Sequence, residues 1–457
     1  MWSWRDGGFW DGEGDGRGGE VSRLLGRYRE MGRRRMPGWL LGLMAVAWVG
    51  VTVMGFVFSE GDREVTSWAV FREADVALNL AVACEERSAF ERWLVVDRTT
   101  DEMVEFLAGE LGRHAEAGLL DEPALEMKKV FDALVEERLE DLDWVKLRSG
   151  VEEQGAWSWE WLAILRAHEG RVPEWFVAAD LEHRAFVDEV YRWSLAGEVL
   201  WWGLFVVGLL FLPEAWKCFR VQEHRSWGLS VRVWRPGWVL GAYLGMLGIT
   251  WVLFLDYWFI PEVFWEDFPG LTSWWSDAVW RLAFAVVMVG FLVVRWRDLP
   301  RLLGLDRAPK FRPILGMFAL AFLYNWGLAW VLEDYGAEVV GESVYWGEDG
   351  WWGLVFAVSS GVVLAPLVEE VVFRGALFPA LARGRSVGFS VVVTTVLFAF
   401  IHNYNLYGLL SVSFFGVATC FLYRATGSLW TAIFYHAFYN GMITATWWPV
   451  AHGLYSL

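Results

Sequence analysis

Apolar residues run in long unbroken stretches along most of this chain, and those stretches are the right length for bilayer-crossing helices. A run of about 20 such residues spans the hydrocarbon core as a helix. Nine stretches meet that description: 38–58, 196–212, 237–258, 278–294, 314–332, 351–373, 386–402, 406–423 and 428–446. Between the first and second, the pattern changes. Segment 59–195 is polar, poor in Gly and Pro, and rich in good helix formers. Its runs Glu102–Leu107 and Val130–Leu142 set apolar residues three and four apart, the spacing of an amphipathic helix. The pattern therefore predicts an all-α, polytopic membrane protein with one inserted helical extramembrane domain. No internal repeat is visible.

Charge orients the spans. Arg33, Arg34 and Arg35 precede the first span. Stretch 213–236 carries Lys217, Arg220, Arg225, Arg232 and Arg235, and stretch 295–313 carries Arg295, Arg297, Arg301, Arg307, Lys310 and Arg312. Stretches 259–277 and 333–350 hold acids but no Lys or Arg. The positive-inside rule then puts the N-terminus in the cytoplasm, with residues 59–195 and the C-terminus outside. A multi-pass protein of a bacterial plasma membrane is expected.

The divisions that follow are a flexible, Gly-rich cytoplasmic tail (1–37), a signal-anchor helix (38–58) and the acidic helical domain (59–195). Accessory membrane helices (196–350), a membrane core (351–446) and a short tail (447–457) complete the chain.

Composition sharpens this picture. The chain has 457 residues, is 56% hydrophobic and carries 34 Trp, far beyond a soluble protein of its size. The pairs Trp201-Trp202, Trp274-Trp275, Trp351-Trp352 and Trp447-Trp448 lie near span ends, where the membrane–water interface favours the indole ring. Net charge is −17, and residues 59–195 account for all of it with 32 acids against 15 bases. No basic face is left for nucleic acid, so none is expected as a partner. Cys84, Cys218 and Cys420 are too far apart to read as a disulfide framework or a Cys-rich metal site.

Three places within the apolar stretches are polar. A charge at bilayer depth costs at least a few kcal/mol, so such residues mark function by default. The first is Glu369-Glu370-Val371-Val372-Phe373-Arg374. On a helix, Glu370 and Arg374 stand one turn apart and can pair, while Glu369 projects about 100° away. Adjacent carboxylates in a low dielectric resist joint ionisation, so a shared proton is expected, which suits a general base that later acts as an acid. The second is His402 at the end of Phe398-Ala399-Phe400-Ile401-His402. Phe398 lies one turn earlier and can pack on its ring. The third is the pair His436 and Asn440, one turn apart on the last span. The other histidines (114, 168, 183, 224 and 452) form no usable spacing and read as surface residues.

Taken in order on separate apolar helices, Glu-Glu-x-x-x-Arg, Phe-x-x-x-His and His-x-x-x-Asn resemble the CPBP family. This family comprises the CAAX prenyl endopeptidases and the bacteriocin-processing or immunity proteins, also called Abi. Ala365-Pro366, Gly375 and Gly427-Ser428-Leu429-Trp430 add to the likeness, which covers about 351–446, or from 299 if Leu303-Gly304-Leu305 is counted.

The resemblance implies an intramembrane endopeptidase. Its substrate would be a membrane-associated protein or peptide within the bilayer. Glu369 would activate water, with Glu370 and Arg374 fixing its charge state and position. His402 would hold that water, and His436 and Asn440 would donate to the oxyanion. Such a mechanism needs no cofactor. The alternative is a zinc held by Glu369, His402 and His436, although the helical His-Glu-x-x-His signature is absent. Two other classes compete: a non-catalytic immunity or scaffold protein of the same family, and a proton-coupled transporter, whose inverted repeats are not seen here.

Overall fold

A computed structural model describes most of residues 74–220, single positions between 237 and 285, and residues 296–332 and 350–452. The predicted tail and signal anchor, 1–58, lie outside the described residues, as do most of the predicted spans 237–258 and 278–294. Among the described residues the protein is all-α, with no strand.

The helices of the acidic segment are α1 (Ala74–Cys84), α2 (Thr100–Glu116), α3 (Glu122–Val135), α4 (Trp144–Gln154) and α5 (Ser158–Ala167). Helix α2 begins where Thr99 and Glu102 cap one another. The Thr99 amide donates to the Glu102 carboxylate at 2.8 Å, and the Glu102 amide donates to Thr99 Oγ1 at 3.3 Å. Its apolar stripe, Met103, Val104, Leu107 and Leu111, buries against Ala124, Met127, Val130 and Phe131 of α3.

The second expected amphipathic run breaks. Helix α3 stops at Val135, Glu137 turns left-handed at φ 54°, and a 3₁₀ turn follows at Leu139–Asp141. Three consecutive charged residues, Glu136 to Arg138, give the helix nothing to bury there.

Helix α6 (Val177–Leu209) joins this domain to the membrane bundle. At 33 residues it is about 50 Å long, well beyond the roughly 30 Å of a hydrocarbon core. Its first half belongs to the acidic domain. Trp161 Nε1 donates to Asp180 at 2.9 Å, and the Arg184 guanidinium grips the same carboxylate at 3.0 Å. Tyr191 donates to Glu91 at 2.8 Å. Together with the Ser88 hydroxyl and amide, this holds the Glu91 carboxyl down to about 2, the Ser88 hydrogen bonds being the larger cause. His183 departs from the surface reading: it is buried against the Trp161 ring, centroids 4.8 Å apart. The division at 195/196 thus falls inside one continuous helix.

Helix α6 bends by 63° into α7 (Leu212–Arg220), so part of the basic stretch 213–236 is helical. The bundle continues with short α8 (Leu299–Leu303), α9 (Phe311–Val331), α10 (Trp351–Arg383), α11 (Val387–Phe400), α12 (Leu406–Thr426) and α13 (Leu429–His452). Helices α9, α10 and α12 are long and apolar enough to cross a membrane, the bent pair α6–α7 makes a fourth, and α11 is shorter. Helix α10 runs ten residues past its predicted end at 373.

The tryptophans split. Trp351 and Trp352 are exposed, as an interfacial girdle requires. Trp448 is fully buried, and Trp201 stacks on Phe318 at 5.1 Å in the aromatic core. All three cysteines are free and buried.

The turn between α12 and α13 decides the depth of the last helix. Gly304, at φ +75°, lies so close to Gly427 that a Cβ would strike its carbonyl oxygen, and the Leu429 amide donates to Gly304 O at 3.2 Å. Tyr423, Ser428 and Trp430 donate to the carbonyls of Leu303, Arg307 and Leu305. A Cβ on Gly375 would sit 2.8 Å from Leu303 and 3.4 Å from Leu429. The start of α13 therefore lies level with Gly375 of α10, well inside the α10–α11 turn.

Candidate active site

Helix α10 carries the two glutamates between two wide turns. Its backbone follows π geometry at Val358–Leu364, α geometry at Ala365–Glu370 and π geometry again at Val371–Leu377. In the first wide turn the Ala365 amide bonds Ser360 O, five residues back. In that register Pro366 would serve Gly361 O, but proline has no N–H to give. Asn440 of α13 supplies the missing donor: its Nδ2 lies 2.8 Å from Gly361 O. Such π turns recur at functional sites, and here one sits directly before the paired acids.

Glu370 and Arg374 pair as their spacing predicts. Both are fully buried, with Arg374 Nη1 2.9 Å from Glu370 Oε1. Phe398 lies under the guanidinium at 4.1 Å, and Gly416 O accepts from Nη2 at 3.4 Å. His436 Nδ1 reaches the same Glu370 oxygen at 2.9 Å.

Glu369 points elsewhere, also as predicted. It has a guanidinium of its own: Arg281 Nη1 donates to Glu369 Oε1 at 2.6 Å. Its other oxygen, Oε2, is buried without a hydrogen bond. That oxygen faces His402 Nε2 at 3.8 Å and His436 Nε2 at 4.0 Å.

His402 stands just beyond the last turn of α11, with Nδ1 2.7 Å from Phe398 O. The carbonyl fixes Nδ1 as the protonated nitrogen, so Nε2 turns its lone pair toward Glu369. The Glu370 carboxylate likewise accepts from His436 Nδ1. Phe398 and Phe415 wall the two imidazoles, with Phe398 4.8 Å from the His402 ring and Phe415 4.7 Å from the His436 ring.

Five of the six predicted residues therefore meet at one point. Asn440 stands one turn along α13 from His436, on the Gly361 carbonyl. The predicted shared direction of His436 and Asn440 holds only loosely, since one reaches Glu370 and the other the backbone of α10.

Sequence reasoning missed Arg281 and its partner Asp277. The signal was available: Arg281 interrupts the apolar stretch 278–294, and the rule that singles out Glu369 applies to it equally. What it partners, 88 residues away, is not legible locally.

Glu369, His402 and His436 are also the zinc alternative's ligands. Their nitrogens stand 3.8 and 4.0 Å from Oε2, wider than the roughly 3.3 Å edge of a zinc tetrahedron with bonds near 2.05 Å. Arg281 places a positive charge on the same carboxylate. Among the described residues, no group of His, Cys, Asp or Glu is arranged to hold a metal ion. Polar atoms 3.8–4.0 Å apart are typically bridged by a water.

Residues 351–442 match the family described as "Type II CAAX prenyl endopeptidase Rce1-like". This segment resembles the CPBP family. A curated Bacillus subtilis (strain 168) protein, "Putative membrane peptidase YdiL", is 32% identical over 90 residues, which is 20% of this chain and 36% of that protein. The match thus spans about a third of the relative's length. No solved structure matches. The CPBP segment contains Glu369, Glu370, Arg374, His402, His436 and Asn440, whereas Arg281 and Asp277 lie outside it. The chain is an integral membrane protein, and its residues 351–442 are similar to a CAAX-type protease family.

Proposed function

We propose that this protein is an intramembrane endopeptidase that hydrolyses a peptide bond of a membrane-associated protein or peptide, using water activated by Glu369. One observation carries the reading. Glu369 Oε2 is buried without a hydrogen bond and faces two imidazole nitrogens across a gap that suits a water molecule.

In this scheme Glu369 accepts a proton from the water as its oxygen attacks the scissile carbonyl carbon. The carbonyl electron pair moves to oxygen. The resulting oxyanion receives hydrogen bonds from His436 Nε2, when protonated, and from the second N–H of Asn440, where preorganised donors matter most. His402 holds the attacking water. As the C–N bond breaks, Glu369 returns the proton to the leaving nitrogen, giving a carboxylic acid and a free amine. Glu370 and Arg374 hold His436 in place. No step requires a metal.

The basic ends of α7, α8 and α12 gather around the α12–α13 turn. By the positive-inside rule this is the cytoplasmic face, with the acidic domain on the other side. A bacterial plasma membrane is the proposed setting. A prenyl group on the substrate is not required by anything in the site.

The test compares new protein N-termini in membranes from cells carrying the wild type or Glu369→Gln, with and without a zinc chelator. Termini present in the wild type should vanish in Glu369→Gln and persist under chelation. Loss of a general base costs about 10²–10⁴ in rate, so residual cleavage should be slight. Equal termini in both strains, with both proteins well expressed, would instead favour a non-catalytic immunity or scaffold role. Termini abolished by the chelator would return the zinc alternative.

A further inference from the structure

The accessory segment around residue 281 touches the acid pair at one point, and it is a chemically specific one. Arg281 uses two edges of its guanidinium. Nη1 bonds Glu369 Oε1 at 2.6 Å, while Nε faces both Asp277 oxygens at 2.8 and 2.9 Å. Asp277 in turn accepts from the Ser360 hydroxyl. One turn nearer the N-terminus, Trp274 Nε1 donates to Ser359 Oγ at 2.8 Å. Residues 274–281 are thus fastened to α10 twice in its first wide turn and once at the glutamate, and no part of this fastening lies in the matched segment 351–442 except its partners on α10.

We propose that Arg281 is a positioning residue for Glu369, set by Asp277 and Ser360. The inference rests on the hydrolase reading of Glu369 given above.

Two physical effects support it. A glutamate carboxylate rotates broadly about its last torsion. Bonding Oε1 to a fixed guanidinium leaves Oε2 with one direction, toward His402 and His436. A lone buried carboxylate is also costly to keep ionised, and a guanidinium at 2.6 Å offsets that cost. Asp277 matters because an unshared guanidinium would bind the carboxylate too firmly for it to accept a proton. Dividing the cation between two acids moderates the hold. A guanidinium can bridge two carboxylates in this way, whereas a lysine ammonium, a point charge, cannot reproduce the fork.

The test uses the full-length protein in detergent or nanodiscs. Its substrate is a fluorogenic peptide built on a cleavage site found by the terminus comparison. Arg281→Met should lower kcat roughly 100-fold, the cost of a misplaced reacting group, while KM stays within about 3-fold because substrate binding is not what is lost. Arg281→Lys should recover only part of kcat. Added guanidinium should raise kcat of Arg281→Gly, and urea at the same concentration should not. That rescue is not expected of a merely structural ion pair. If Arg281→Met does not fold, Arg281→Lys carries the same kcat and KM reading.

Wild-type kcat in Arg281→Met or Arg281→Lys overturns the inference, as does a rise in kcat, which would make Arg281 a block on the base. Absence of guanidinium rescue in a folded Arg281→Gly also overturns it. If the wild type itself shows no Glu369-dependent cleavage, the hydrolase reading fails, and this inference falls with it.

Discussion

Two carboxylates adjacent in sequence end up with different electrostatic lives. Glu370 has no exposed surface and is bound at Oε1 by both Arg374 and His436, while its Oε2, like that of Glu369, has no hydrogen bond. Glu369 is held at one oxygen and open at the other. Glu369 Oε2 faces two imidazole nitrogens, and in the proposed scheme Glu370 is therefore the support and Glu369 the reacting group. This distinction has a stability consequence. Arg374→Met strands the Glu370 charge, and breaking a fully buried pair costs about 3–5 kcal/mol. Arg374→Met/Glu370→Gln removes both charges and should unfold later than Arg374→Met alone in a denaturant titration in detergent. A double variant no more stable than the single would mean that the pair is not the main partner of either group. The sequence showed this pair, because spacing by four on a helix dictates it. It did not show Arg281, because that contact joins residues 88 apart and depends on how two helices rotate against one another.

At the scale of elements, helix α10 is the unusual one. Its wide turns and Pro366 leave Gly361 O without a backbone donor, and Asn440 of α13 fills the vacancy. Asn440→Ala leaves that acceptor unsatisfied and should cost about 1–3 kcal/mol of stability. Pro366→Ala restores an N–H at the position that serves Gly361. Adding it to Asn440→Ala should therefore recover most of the lost stability in the same titration, and failure to recover would show that Asn440 matters for other reasons. Activity separates its two roles. If cleavage returns with stability, Asn440 acts only through α10; if stability alone returns, the oxyanion role stands. Counting residues from the turn before Ser428 sets His436 shallower than the glutamates. The structure explains why they meet: the α12–α13 turn is drawn in to the level of Gly375 by its bonds to residues 303–307.

Across the whole molecule, the acidic domain and the bundle share helix α6 but not the site. The domain's core, built on α1 to α5, buries its own apolar stripe, and its ties to α6 run through Asp180 and Tyr191, both in the half of that helix before residue 195. Deleting residues 62–192 keeps the membrane half of α6. The rate on a short peptide should then be unchanged, while the set of proteins cleaved in membranes changes. A destroyed peptide rate would show that the domain supports the chemistry itself.

The sequence by itself determined that this is an all-α membrane protein, where most of its described membrane helices lie, and which six polar residues stand out. Solvent explains this: in a bilayer every apolar run of sufficient length must be a helix, and every charge inside one is conspicuous. The same logic brought the CPBP resemblance within reach. Only the tertiary structure decided which groups face one another. It gave Glu369 a partner from an accessory segment, turned Asn440 onto a carbonyl orphaned by a proline, and buried His183 and Trp448 where composition suggested surface and interface. Each of these depends on the rotation, depth and break of one helix against another, and periodicity along a single helix carries no information about its neighbour.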